Sequence, residues 1–184
     1  MKKSGFLLAA FLLLSIITVR AQVFSQGSNV ISAGIGLGSS IADYTFGSVS
    51  PAIDLKYERG LWKAGPGVVS LGAYVGYKAY KYSSDGVTEK WDYTIIGVRG
   101  AWHYTGLKVE HLDVYGGIML SYDNLHYSID EDGTNYGGSV GNYGSAVAVT
   151  PFVGARYYFA GHLGGEAELG YGVSYLHLGL CFTF

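Results

Sequence analysis

From about residue 29 onward, apolar side chains fall on every second position, in runs broken by Gly, Asp, Asn and Pro. The final run shows the pattern most clearly. Leu176, Leu178, Leu180, Phe182 and Phe184 share one face, and Tyr175, His177, Gly179, Cys181 and Thr183 share the other. Side chains alternate faces along an extended strand, so a period of two marks a two-faced β-strand rather than a helix. The same period predicts strands over about 29–38, 51–61, 68–82, 91–104, 113–127 and 146–159, and a short seventh around Glu166 and Glu168. With the closing run these make eight. No stretch after residue 22 carries a helical period.

The breaks differ in length. Those at 63–67, 105–112 and 160–164 are short, whereas 39–50 and 128–145 are long and polar, and 83–90 reads as a further loop. The connection near 172–174 is very short. Short turns at one end of a sheet and longer loops at the other are the asymmetry of a membrane-spanning up-and-down barrel.

Alternation alone leaves open which face is outside, because a soluble lipocalin-like barrel has the same period turned inside out. Three features place the apolar face outward. The polar face is crowded with glycine (Gly34, Gly72, Gly97, Gly117, Gly154), which suits a cramped lumen better than a solvated surface. Its charges are few and of both signs: Asp54, Glu58, Asp123, Glu166 and Glu168 against Lys56, Lys78, Arg99 and Arg156. Such a set can pair across a narrow lumen, where an unpaired charge is expensive. The apolar face carries Tyr57, Trp102, Tyr104, Tyr157, Phe159 and Phe184 towards one rim and Tyr77, Tyr122 and Tyr171 towards the other. Two aromatic girdles are what a bilayer selects.

Composition sharpens this reading. Glycine at 29 and tyrosine at 17 are frequent, and proline at 3 is scarce, as expected of an all-β chain. The start is basic (Lys2, Lys3), then apolar from Phe6 to Val19, then Arg20-Ala21-Gln22. That is the layout of an export signal cut after Ala21, and its apolar run is too short to span a bilayer as a helix. Residues 1–21 are therefore expected to be a signal peptide and 22–184 the barrel domain. The leader holds three basic residues and no acid, so the 163 that follow hold 9 basic against 14 acidic side chains, a net charge of −5. That balance argues against a nucleic-acid partner. A single cysteine, Cys181, excludes an internal disulfide.

Over about residues 28–184 the chain resembles the small eight-stranded outer-membrane proteins of the OmpA/OmpX kind, on its pattern and its terminal aromatic rather than on a local motif. The resemblance implies an all-β, eight-stranded antiparallel transmembrane up-and-down barrel in the outer membrane. It implies insertion by the barrel assembly machinery, and outer-membrane lipid and lipopolysaccharide as neighbours.

The candidate chemistry is modest. The inward charges form either a salt-bridged plug or the lining of a small channel, and bulky inward Tyr74, Phe152 and Tyr158 favour the plug. His126 and Ser128, two apart on one strand, resemble in part the His-x-Ser pair of outer-membrane lipid A deacylases. Glu131 or Glu110 would have to orient the histidine, and Ile129 and Asp130 do not continue that family's pattern. His103, His111, His162 and His177 lack metal-ligand spacing. Asp130, Glu131 and Asp132 lack the ligand order of a calcium loop. We therefore expect no enzymatic activity, no cofactor and no metal. The loop aromatics Tyr44, Phe46, Tyr136 and Tyr143 are the residues expected to meet an extracellular ligand. Structural or adhesive barrel, channel, lipid A-modifying enzyme and lipocalin-like cup remain the functional alternatives.

Overall fold

The computed structural model describes residues 24–38, 48–107, 109–131, 134–138 and 145–184, and every regular element among them is a strand. In chain order these are β1 (Asn29–Leu37), β2 (Ser48–Val49), β3 (Ala52–Ala64), β4 (Gly67–Ser84), β5 (Val87–Tyr104), β6 (Leu112–Glu131), β7 (Thr134–Gly138), β8 (Ala146–Ala160), β9 (Leu163–Gly170) and β10 (Leu176–Thr183). Eight of them close a ring in the order β1-β3-β4-β5-β6-β8-β9-β10, and β10 pairs back onto β1. All pairs are antiparallel, and apart from the closing pair β1–β10 each joins barrel strands that follow one another in the chain, which is up-and-down topology. Closure leaves no strand edge within the wall.

Register fixes the shape of the ring. Away from the bulges at Gly60/Trp62 and Tyr158/Ala160, the row from Gly34 runs through Asp54, Gly76, Ile95, Asp123 and Ala146. Carried on through β9 and β10, it returns to β1 ten residues further along. Eight strands with that stagger tilt by about 40° to the axis, and the interior is then just wide enough for side chains to fill.

The alternation holds all round. Ile35, Ile53, Leu71, Ile96, Ile118, Val149, Leu169 and Leu180 are exposed on the outside, whereas Lys56, Glu58, Arg99, Asp113, Arg156 and Glu166 are buried inside. Hydrocarbon is the solvent in which such a surface is stable, and water is not.

The wall is uneven in height. β6 has 20 residues, and β9 and β10 have 8 each. At about 40° of tilt that is roughly 50 Å against roughly 20 Å, compared with a hydrocarbon layer of about 25–30 Å. β4, β5 and β6 therefore project beyond the membrane. β2 pairs with β4 at Lys81 and Tyr80, and β7 pairs with β6 over Tyr127–Glu131, widening the projection to five strands.

One expectation changes here. The sequence reading made 83–90 a loop, but β4 and β5 run on to a two-residue turn at Asp85 (φ 50°) and Gly86 (φ 84°). Two successive positive φ values make the turn whose twist matches antiparallel strands, and Asp-Gly is its preferred sequence. The long break at 128–145 likewise contains the end of β6 and the whole of β7.

Candidate functional site

The lumen is assembled from inward positions of seven strands. Lys56 and Glu58 come from β3, Arg99 and His103 from β5, and Asp113 and Tyr115 from β6. Arg156 comes from β8, Glu166 and Glu168 from β9, and His177 from β10. On the third strand of the ring, β4, Ser70 Oγ lies 3.1 Å from His103 Nε2. These side chains form one connected set. Lys56 Nζ donates to Glu166 Oε1, to Glu168 Oε2 at 2.7 Å and to His177 Nδ1 at 3.2 Å. Arg99 donates to Glu168 Oε1 and lies 3.7 Å from Glu58. Arg156 reaches Glu166 at 2.6 Å, Glu58 at 3.3 Å and Asp113 at 3.6 Å.

His103 closes the lower end. Its Nε2 is 2.6 Å from Glu58 Oε1 and its Nδ1 is 2.8 Å from Asp113 Oδ1, so both ring nitrogens donate to carboxylates. Aromatic faces cover what the carboxylates leave free. The Arg99 guanidinium lies over Phe152 and that of Arg156 over Tyr115, whose hydroxyl donates to Glu168 at 2.9 Å. Each cation therefore has at least two carboxylate partners, the condition under which buried ions are tolerated. The ligand atoms of Glu166, Glu168 and His177 lie close enough together to hold a metal ion, but the Lys56 ammonium contacts all three.

Apolar groups lie at both ends of this polar layer. At the end that carries the termini, Phe24 packs with Val30, Val68, Tyr158 and Cys181. At the other end Tyr74, Tyr80, Tyr93, Met119, Leu125, Phe152 and Val173 form a larger cluster.

The projecting sheet has a different outer face. Above Tyr77 and Tyr122 the outward positions become polar: Lys81 stands directly opposite Lys90, and Asp92 opposite His126. Tyr77 donates its hydroxyl to Asp92 at 2.6 Å. Like charges facing across a strand pair repel, so Lys81 and Lys90 form a like-charged rung just beyond the apolar belt, with Asp92 two residues from Lys90 on the same face.

No protein-family model and no curated protein matches the chain. Solved structures do. The crystal structure of Ail, the attachment invasion locus protein of Yersinia pestis, matches over 87% of this chain and 100% of its own, with 12% identity and a TM-score of 0.51. Ail in complex with the heparin analogue sucrose octasulfate matches over the same shares, with 12% identity and a TM-score of 0.57. The backbone structure of Ail in a phospholipid bilayer nanodisc matches over 86% and 100%, with 14% identity and a TM-score of 0.51. The chain folds as a small eight-stranded outer-membrane barrel. At such identity the likeness establishes the fold alone.

Within this barrel, Asp54, Lys56, Glu58, Arg99, Arg156, Glu166 and Glu168 meet in the lumen; Asp54 joins the others through His177, whose Nε2 is 3.0 Å from Asp54 Oδ2. Lys78 and Asp123 are buried in the lumen but lie apart from that set. Lys78 donates to the carbonyl of Gly38, and Asp123 accepts from Ser121. Tyr44, Phe46 and Tyr143 fall outside the described residues, and Tyr136 lies on β7, whose pairing alone is described. His126 is exposed on the outer wall while Ser128 is buried, and no hydrogen bond joins them among the described residues. His103 and His177 are weighed from sequence only as metal ligands, and Phe24, Asp113 and Tyr115 are assigned no role there. The two histidines and Tyr115 share the inward parity of Arg99, Cys181 and Met119, so parity was the available signal. Phe24 precedes the first strand and had none.

Proposed function

We propose that this protein is an integral outer-membrane barrel whose wall anchors it, whose filled lumen acts as a plug, and whose projecting sheet engages anionic groups at the cell surface. The observation that carries this reading is the uneven, inside-out wall: apolar where it meets hydrocarbon, then polar where β4–β6 rise beyond it, with Lys81 and Lys90 facing one another on its outer side. Lys81 and Lys90 sit where the phosphates of lipopolysaccharide begin, and a paired lysine rung suits a multivalent anion. The neighbouring fold's capture of a sulfated heparin analogue supports a polyanion as the ligand class. On this reading residues 1–21 direct export, the barrel assembly machinery inserts the chain, and Tyr44, Phe46, Tyr136 and Tyr143 add loop contacts.

The lumen supports a plug over a channel because its charged side chains are paired with one another across the barrel. An anchoring and binding role needs no catalytic group. The test pairs two measurements. Protease applied to intact cells should cut within 39–47 and 139–144 and spare the strands. Replacing Lys81 and Lys90 with alanine should weaken binding to lipopolysaccharide or heparin at least tenfold while leaving the barrel folded. Unchanged binding in the double variant would overturn the surface assignment.

A further inference from the structure

Beyond the surface role and independent of it, the end of the lumen that carries the termini is crossed by a strap, residues 24–28. Ser25 N donates to Ser28 Oγ at 3.0 Å, which curls the segment back on itself, and Phe24 is buried against His103. A Cβ added at Gly60 would stand 2.3 Å from the carbonyl oxygen of Ser25 and 3.2 Å from Phe24 Cε1. The strap therefore lies directly on the β3 backbone, at a position where only glycine allows so close an approach.

Phe24 takes the face of the His103 ring, and carboxyl groups take its edge. Nε2 is 2.6 Å from Glu58 Oε1 and Nδ1 is 2.8 Å from Asp113 Oδ1. A neutral imidazole has one N–H and cannot donate to both, whereas an imidazolium can. Ser70 Oγ, beside Nε2, donates to the carbonyl of Ala101 and brings the ring no proton. The remaining charged groups around the ring are already engaged. Arg156 serves Glu58, Asp113 and Glu166, Arg99 serves Glu168 and reaches Glu58, and the Tyr115 hydroxyl donates to Glu168. Tyr158 and Cys181 pack beside Phe24 and complete the surroundings. Loss of the His103 proton would thus turn a ring lone pair towards Glu58 or Asp113 in place of a donor. A buried carboxylate deprived of its partner is strongly destabilised. Water is the replacement, and Phe24 covers the end from which it would come. The same loss removes the positive charge that attracts the Phe24 ring face.

We propose that His103 and the 24–28 strap form a proton-controlled seal on this end of the lumen. While the ring is an imidazolium, Phe24 is docked and the end is closed. When the ring loses its proton, Phe24 swings out and water enters to solvate the carboxylate left without a donor. Closure is therefore present at low pH and lost as pH rises through the titration of His103.

The experiment uses the folded full barrel in detergent micelles, with histidine and phenylalanine isotopically labelled for NMR. In mild acid His103 should show the nitrogen shifts of an imidazolium, with Overhauser contacts between its ring and that of Phe24. As the pH is raised to about 10, the imidazolium signature and those contacts should disappear with one shared midpoint. Gly60→Ala, whose added methyl group meets the strap rather than the wall, supplies the spectrum of the released strap. In His103→Gln the state of the strap should no longer change with pH. If that variant fails to fold, the wild-type titration decides alone. Contacts that outlast the proton would overturn the proposal, as would a ring already neutral in mild acid or an imidazolium that persists until the barrel unfolds. A strap that still follows pH in His103→Gln would overturn it too. Each of these results leaves the surface role standing.

Discussion

Phe24 stacks on His103 with ring centroids 3.7 Å apart and planes 15° from parallel. The contact joins the segment before the first strand to the bottom of the ion-paired layer. That segment is held beneath the barrel by a reciprocal pair of backbone bonds, Gly27 N to Gly60 O and Gly60 N to Ser28 O, each 2.9 Å. Phe24 therefore shields the His103–Asp113–Glu58 cluster from water at the end that carries the termini.

Phe24→Ala should admit solvent there. Cys181 belongs to the same apolar cluster and is 1% exposed. In the variant its alkylation by a maleimide should accelerate at least tenfold, and unfolding stability should fall by about 3–5 kcal/mol. Unchanged labelling kinetics would mean that Phe24 does not seal the lumen.

Removing a central cation should cost more than removing a surface one. Arg156 is 1% exposed and serves Glu58, Asp113 and Glu166. Arg156→Met should destabilise the barrel by about 3–5 kcal/mol, because it leaves buried carboxylates without their partner. Adding Glu166→Gln should recover about 1 kcal/mol or more by removing one of those charges. Urea titration of refolded barrels checks both.

The lipid-facing wall is testable at Ile118, which is 62% exposed on the outer face of β6, four residues below Tyr122. Ile118→Arg should cost about 2–4 kcal/mol in bilayers. A soluble protein with this residue on a wet surface would lose nothing, so the sign of the result separates the two environments.

Close approach of the wall to itself is testable at Gly117. A Cβ there would stand 2.1 Å from the carbonyl oxygen of Gly100 and 2.8 Å from Ala101 Cα and Phe152 Cζ. Backbone cannot yield as a side chain does, so Gly117→Ala should lower the yield of closed barrel on unboiled gels and destabilise it by about 1–3 kcal/mol. Gly165, where an added Cβ would meet only Phe159 at 3.9 Å, is the control, and Gly165→Ala should be silent.

Much of the molecule was legible before any coordinate. A period of two depends only on neighbouring residues, so the eight barrel strands and their two faces follow from residues such as Ile31, Ala33 and Ile35 read in order. The same local logic separated a glycine-rich, charged interior from an aromatic-banded exterior. Strand ends were less secure, as Asp85 and Gly86 show, because a two-residue turn and the start of a loop share the same letters. What tertiary structure alone decided is which charges meet. Lys56 and Glu166 are 110 residues apart, and Arg156 and Glu58 are 98 apart. Their contact depends on the ten-residue stagger with which the sheet closes. That stagger is a property of the whole ring, summed over eight registers, and no single strand carries it. Parity told which side chains point inward, and only closure set the height at which each one stands.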